Sequence, residues 1–298
     1  MLIILEGVDG AGKSGLANAL VQALEEKYPD SSVTYMHAGP ITSGTYEAYI
    51  EPLEDYDPKR TDQHIVIDRW HVGEQIYGPL YRGGSRFDDV MYHHTEMYLA
   101  AKGAVLYNVT QTYDVLKDRL AARGEDFLQD KDVDHVRKEF ERLTQKSMLF
   151  SEHVRPDDNN RQEYVEYIIT DAAWVASRAR RLAKLGVNYS GRTAVDPRTV
   201  LVHSSSKSAK SMELLDKFWS AVPGEFKNST GIIRTSSENK LRKFVDEFPF
   251  VALIAYDKNI IKKLDKLEIE YEAIDEPKEL GVAYSRHLSI QIEKAGEV

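Results

Sequence analysis

Gly7-Val8-Asp9-Gly10-Ala11-Gly12-Lys13-Ser14 fits the GxxxxGK[ST] spacing, and the chemistry that this spacing serves is the enclosure of a nucleotide's phosphates. Glycines let the backbone N–H groups from Gly7 and Asp9 through Gly10, Ala11 and Gly12 turn inward onto phosphate oxygens. A helix starting near Lys13 adds the positive end of its dipole. Lys13 is expected to bridge the β and γ phosphates of ATP, and Ser14 to offer its hydroxyl to Mg2+. A glycine-rich turn that only connects strand to helix is the plain alternative. Hydrolysing motors, switches and kinases share the loop, so other residues must decide the fate of the phosphate.

Ile65 to Ile67 form a buried-strand pattern that ends in Asp68-Arg69-Trp70, which puts an acid and a base at the carboxyl edge of a sheet, where ligands sit in open α/β folds. Asp68 can hold a Mg2+-bound water or orient an acceptor. Arg69 can fork onto an acceptor phosphate. An ion pair at a strand end is the bland reading of both. Arg119 and Arg123 are four apart on a helix that runs into Gly124-Glu125-Asp126-Phe127, so their guanidinium groups share a face. A flap there would bring charge onto the transferring phosphoryl group, whereas an ordinary solvated helix end would look the same. After Trp70, the stretch to Arg82 mixes aromatic rings with amide and basic groups, as a nucleobase site requires. Gln75 can read a base edge, Tyr77 or Trp70 can stack on it, and Arg82 or Arg86 can meet an acceptor phosphate. Tyr35, Tyr46, Tyr49 and Tyr56 cluster with Gly39-Pro40 in sequence and serve equally as a cover for substrate or as core. His93 and His94 read as helix-surface residues.

These residues need elements to hold them. Leu2–Leu5 reads as a strand, and Leu16, Leu20 and Leu24 mark the helix after the loop. Further strands are expected near 33–37, 64–68, 104–109 and 164–169, with helices over 88–102, 112–122, 133–151 and 172–185. Strands alternating with helices imply a parallel sheet covered on both faces, an α/β P-loop kinase architecture. Polar residues from 188 to 198 suggest a linker between a domain at 1–187 and a smaller α/β domain at 199–298. In the latter, strands are expected at 199–203, around 232–233, at 250–255 and at 269–273, and helices at 209–221, 238–248, 260–266 and 285–295. Ser204-Ser205-Ser206-Lys207-Ser208 lies between strand and helix, where a solvated loop is a better reading than an anion cradle. Domain association, homodimer formation and a degenerate enzyme fold are the roles open to this second domain.

Glu6 to Ser14 (EGVDGAGKS), Asp68 to Trp70 (DRW) and Arg119 to Phe127 (RLAARGEDF) together resemble the phosphate loop, Asp-Arg motif and lid of the thymidylate kinase family, over roughly residues 1 to 186. The stretch Asp68 to Gly83 is similar to divergent members encoded by bacteriophages. The resemblance implies that Asp9 approaches the acceptor's sugar hydroxyl, Arg69 its phosphate, and Arg119 with Arg123 the transition state. It also implies a deoxynucleoside monophosphate, dTMP or a 5-substituted dUMP, as the small-molecule acceptor. The segment between His37 and His64 is shorter than the family's, and Gly15 stands where the family usually has a hydroxyl residue. A kinase for a nucleoside hydroxyl, or for 5-hydroxymethyluracil in DNA, is the first rival, with Asp68 or Glu6 as general base. A nucleotide-binding module without turnover is the second.

Composition narrows the setting. The chain has 298 residues and no cysteine, so disulfides, thiolate metal sites and cysteine nucleophiles are excluded. Its net charge of −9 lies entirely before Ser190. Acidity of that kind disfavours a nucleic-acid backbone, so DNA enters as a partner only under the first rival reading. No apolar run is long enough for a membrane span, and too few apolar residues precede Glu6 for a secretion signal. A cytoplasmic enzyme is expected, in the host cytoplasm if phage-encoded.

Overall fold

The computed structural model describes residues 1–39, 46–86, 88–124, 128–185, 188–191, 199–203, 209–222, 230–247, 252–280 and 283. Two units divide the chain, Met1–Arg180 and Arg181–Val298. In the first, β1 (Leu2–Glu6), α1 (Lys13–Lys27), β2 (Ser32–His37), β3 (Gln63–Asp68), α2 (His71–Arg82) and α3 (Asp89–Ala101) are followed by β4 (Ala104–Val109), α4 (Tyr113–Arg123), α5 (Asp130–Lys146), β5 (Phe150–Val154) and α6 (Arg161–Leu185). The strands are parallel in the order β2-β3-β1-β4-β5. Every residue of β1 and β4 is buried, so their apolar runs do not alternate, as expected when helices cover both faces of a sheet. This is an α/β architecture, a parallel five-stranded sheet flanked by helices, consistent with a P-loop kinase fold.

Register levels the site. Leu5 and His37 both stand opposite Asp68, and Glu6 stands opposite Asn108, so the carboxyl ends of four strands present their last side chains at one edge. Behind that edge, α2 is fixed by a buried polar knot. His71 Nε2 lies 2.6 Å from Glu96 Oε1, while Ser147 Oγ and Met148 N donate to the same carboxylate at 2.7 and 2.6 Å. Burial alone would raise the Glu96 pKa, but these hydrogen bonds, led by His71, hold it below the ordinary value.

Two expectations need correction in this unit. Residues 164–169 are helical, inside α6, and the fifth strand is Phe150–Val154. Val165, Ile168, Ile169, Ala172, Val175 and Ala176 are all buried, a 3-4 spacing that continues past the local apolar run mistaken for a strand. The true strand is only partly buried and carries Ser, Glu and His, so nothing in its composition announced it. Residues 71–82 had no assigned element and form α2, with Pro79 inside it and left-handed Gly83 closing it.

The second unit contains β6 (Asn188–Gly191), β7 (Thr199–His203), α7 (Ala209–Ser220), β8 (Thr230–Arg234), α8 (Glu238–Glu247), β9 (Ala252–Ala255), α9 (Lys258–Lys266) and β10 (Glu272–Ala273). Their order is β10-β9-β7-β8-β6, parallel except for β6. Val200, Val202, Ile233, Phe244 and Ile260 are core residues. The linker expected at 188–198 is corrected at its start, where 188–191 pair antiparallel with β8: polar residues suit an edge strand, and sequence polarity alone reads as loop. Residues 192–198, the serine stretch 204–208 and the helix expected at 285–295 lie outside the described residues. Among the described residues, no helix is long and apolar enough to cross a membrane.

Candidate active site

The glycine loop between β1 and α1 is shaped by close contact. Gly7 has φ +139°, and a Cβ on it would stand 2.0 Å from Val109 O; only glycine lets the loop lie so near β4. Gly12 adopts φ 99° at the N-cap of α1, which has no side-chain cap, so N–H groups of its first turn remain available to an anion. Lys13 is buried, and its ammonium donates to Gly7 O at 2.8 Å and Val8 O at 2.9 Å, with Asp9 3.7 Å away. Burial pushes its pKa down, against the pull of Asp9. Arg119 Nη1 donates to Gly10 O at 3.2 Å. Arg123, one turn on, is exposed at the end of α4, and residues 125–127 of the expected flap lie outside the described residues.

Asp68, fully buried, accepts from Ser14 Oγ at 2.5 Å and from Tyr35 OH at 3.2 Å, and His37 Nδ1 lies 3.2 Å away, all on Oδ2. Its Oδ1 has no hydrogen-bond partner among the described residues. A carboxylate with an unpaired buried oxygen beside a loop hydroxyl fits a divalent cation delivered on nucleotide phosphates, which needs only one or two protein carboxylates. No group of three His, Asp or Glu among the described residues could hold a metal by itself. The expected metal pair, Ser14 and Asp68, is therefore together. Tyr35 and His37 were not assigned to it, although alternation along a strand puts both on the face of Asp68's carboxylate.

Beyond Asp68 the backbone turns sharply, with Arg69 at φ 69°, a left-handed conformation that a non-glycine residue adopts only when its surroundings impose it. Arg69 Nη2 pairs with Asp9 at 2.6 Å. A cavity opens beside this pair, lined by Glu6, Gly7, Asp9, Ala38, Gly39, Tyr49, Arg69, Trp70, Gly73, Glu74, Tyr77, Arg82 and Phe140. Tyr49 meets Trp70 edge-on at 5.3 Å, and Tyr77 meets Phe140 edge-on at 5.8 Å. Arg82 pairs with Glu74, whose other oxygen accepts from Arg86 N at 3.2 Å. Of the acceptor residues expected from sequence, Asp9, Arg69, Trp70, Tyr77 and Arg82 line this cavity. Gln75, on the opposite side of the same turn of α2, does not. A wider, open groove between α1 and α6, lined by Ala23, Glu26, Lys27, Gln162, Val165, Glu166, Ile169 and Thr170, lies away from the loop.

Glu6 is the residue that sequence reasoning placed only under a rival. Its Oε1 accepts from Trp70 N and Val72 N, both at 2.9 Å, and so caps the positive end of α2. Its Oε2 has no partner among the described residues. Burial raises its pKa, opposed by His71, the two backbone donors and Lys13. The signal for it was its place, immediately before the loop at the end of an apolar strand.

No family model matches the chain. The SPbeta prophage-derived uncharacterized protein YorR of Bacillus subtilis (strain 168) is 27% identical over 135 residues, 45% of this chain and 76% of YorR. Among solved structures, the crystal structure of the B. subtilis YorR protein in complex with phosphorylated GDP covers 57% of this chain and 94% of its own, with 22% identity and a TM-score of 0.45. The likeness to thymidylate kinases therefore rests on the three motifs in the sequence, and the curated likeness is to a prophage protein.

Proposed function

We propose that this chain transfers the γ-phosphoryl group of ATP, with Mg2+, to the phosphate of a deoxynucleoside monophosphate, dTMP or a 5-substituted dUMP in the first instance. The observation that carries the reading is the convergence of Lys13 and the Ser14–Asp68 pair beside the Arg69–Asp9 pair, which lines one aromatic cavity. Lys13 exchanges the carbonyls of Gly7 and Val8 for β and γ oxygens, gaining the negative charge that its burial favours. Arg69 turns from Asp9 to the acceptor phosphate, which frees Asp9 for a sugar hydroxyl, as the family resemblance implies. Arg119, already on the loop, neutralises charge as the acceptor oxygen bonds to phosphorus and the bond to ADP breaks. Mg2+, when bound at Ser14 and Asp68, supplies further neutralisation of the phosphate oxygens. Trp70 and Tyr77 offer ring faces to the base. A monophosphate oxygen is already ionised near neutral pH, so positioning and charge suffice without a general base.

Release of ADP measured against dTMP, dUMP, 5-hydroxymethyl-dUMP, dGMP and thymidine tests the proposal. Stimulation by one or more monophosphates is expected. ATP turnover that is the same with and without every one of them ends it.

A second reading has one observation in its favour. Glu6 is a buried carboxyl with a raised pKa and an unpartnered oxygen lining the cavity, the properties of a general base for a hydroxyl acceptor. In that case the hydroxyl proton passes to Glu6 Oε2 as the hydroxyl oxygen bonds to the γ-phosphorus and the bond to ADP breaks. Turnover of thymidine in preference to every monophosphate would select it. ATP binding with no transfer to any acceptor would favour the non-catalytic module instead.

A further inference from the structure

The second unit has its own carboxyl edge, and its topology singles out one point on it. β7 has β8 on one side and β9 on the other. The chain leaves β7 for β8 and later returns across the sheet to β9, so the seam between β7 and β9 is the switch point where open parallel sheets take their ligands. His203 ends β7, Arg234 ends β8, and Tyr256 and Asp257 follow β9. The β7 and β8 ends are closed together by Thr235 N, which donates to His203 O at 2.9 Å.

This seam is walled by rings and yet contains unpaired polar atoms. Tyr256 stacks on Phe218 at 3.9 Å and 7°, and on His203 at 5.5 Å and 26°. His203 is 0% exposed and Tyr256 8%. Even so, His203 Nδ1 and Tyr256 OH have no hydrogen-bond partner among the described residues. Buried polar atoms are almost always paired, and an exception at a ligand-binding position points to what it binds. Burial drives the His203 pKa down to about 4, with Arg234 adding to this and Asp257 opposing, so the ring is neutral near pH 7. Its Nε2 lies 2.9 Å from Ser211 Oγ. When that hydroxyl donates to Nε2, Nδ1 carries the ring hydrogen and is a donor. Tyr256 OH is a second donor, and Arg234 stands opposite His203 in the register of β7 and β8. The acid nearby, Asp257, accepts from Asn259 N at 2.8 Å and caps α9. His203 Nδ1 in that tautomer and Tyr256 OH are thus both donors, the groups that suit an oxyanion.

We propose that the β7–β9 seam binds a phosphate group, free or borne by a nucleotide, with Tyr256 OH and His203 Nδ1 donating to it and Arg234 supplying the positive charge. The proposal concerns the second unit and does not depend on the kinase reading.

The test is an NMR titration of the full chain with 13C-labelled histidine rings, the His203 signal being assigned by its loss in His203→Gln. Orthophosphate and adenosine 5′-monophosphate are added in parallel. A saturable shift of the His203 signal is expected with both, in the parent and in Lys13→Ala alike. Tighter binding of the nucleotide identifies a nucleotide site, and equal binding a site for the phosphate alone. Tyr256→Phe keeps the ring on Phe218 and removes only the hydroxyl, and should weaken binding about tenfold. The proposal is overturned if the His203 signal of the parent does not move saturably. It is also overturned if the movement vanishes in Lys13→Ala, or if a folded Tyr256→Phe chain titrates like the parent. Should Tyr256→Phe fail to fold, the parent and Lys13→Ala titrations still decide.

Discussion

The two units place the same topological point to different use. Around β1 the neighbours are β3 and β4, and around β7 they are β8 and β9, so each sheet has a central strand whose carboxyl end lies at a crossing of connections. At the first edge the charges are dense and already paired: Lys13 with loop carbonyls, Arg69 with Asp9, Arg82 with Glu74, Ser14 with Asp68. At the second edge an imidazole and a phenol are buried with polar atoms that have no partner among the described residues, and the sequence after β7 has no glycine loop. Sheet order determines where a ligand can sit. The residues that follow the strands determine which ligand it is and whether anything happens to it.

The largest effect expected from this contrast is at Lys13. Lys13→Ala should lower phosphoryl transfer by about a thousandfold or more and leave the His203 titration unchanged. Steady-state ADP release, with circular dichroism to confirm folding, measures the first half. A variant as active as its parent breaks the assignment of the first edge. Next in size is Gly7→Ala, whose new methyl would stand 2.0 Å from Val109 O at a φ of +139°, and which should lose stability on the order of 3 kcal/mol. Gly15→Ala is the control within the same loop-helix junction. Nothing lies within 4 Å of a Cβ there, and alanine favours helix over glycine by about 1 kcal/mol, so its thermal midpoint should equal or exceed the parent's.

The first edge was more legible in sequence than the second for a physical reason. A glycine loop must approach a phosphate closely, and that demand fixes residue types at fixed spacing, so residues 7–14 announce themselves. Asp68 and Arg69 were readable because they end an apolar run. Glu74 and Phe140, which line the same cavity with Tyr49, were not assigned to it, and Tyr49 was read equally as substrate cover or core, because side chains brought together by packing leave no spacing to read. The fold itself followed the apolar runs of β1, β3 and β4, and failed at β5, a partly exposed strand, and at α6, where a few adjacent apolar residues outweighed the longer helical period. His203 and Tyr256 gave no signal, being single polar residues at strand ends that only pairing order makes neighbours.

Within the first edge, the two arginines of α4 should separate. Arg119 reaches Gly10 O and Arg123 is exposed, so Arg119→Ala should lower kcat by about a hundredfold and Arg123→Ala by far less. Equal losses would mean that the end of α4 closes onto the loop during turnover, bringing Arg123 to the reaction as well.

The smallest effect is a pH dependence at Glu6. Burial raises its carboxyl above the ordinary value of 4.5, whereas the unfolded chain titrates at that ordinary value. Between the two, the folded state holds more protons than the unfolded one, so stability falls as pH rises through this window and is level above it. Glu6→Gln keeps an oxygen for Trp70 N and Val72 N and removes the charge. Its urea midpoint should lose the slope that the parent shows above the ordinary glutamate range, a gain on the order of 1 kcal/mol at the upper end. Parallel midpoints at every pH would mean that Glu6 is ionised in the fold with its charge fully compensated. That would remove the basis for Glu6 as a proton acceptor and leave the monophosphate as the acceptor the first edge is built for.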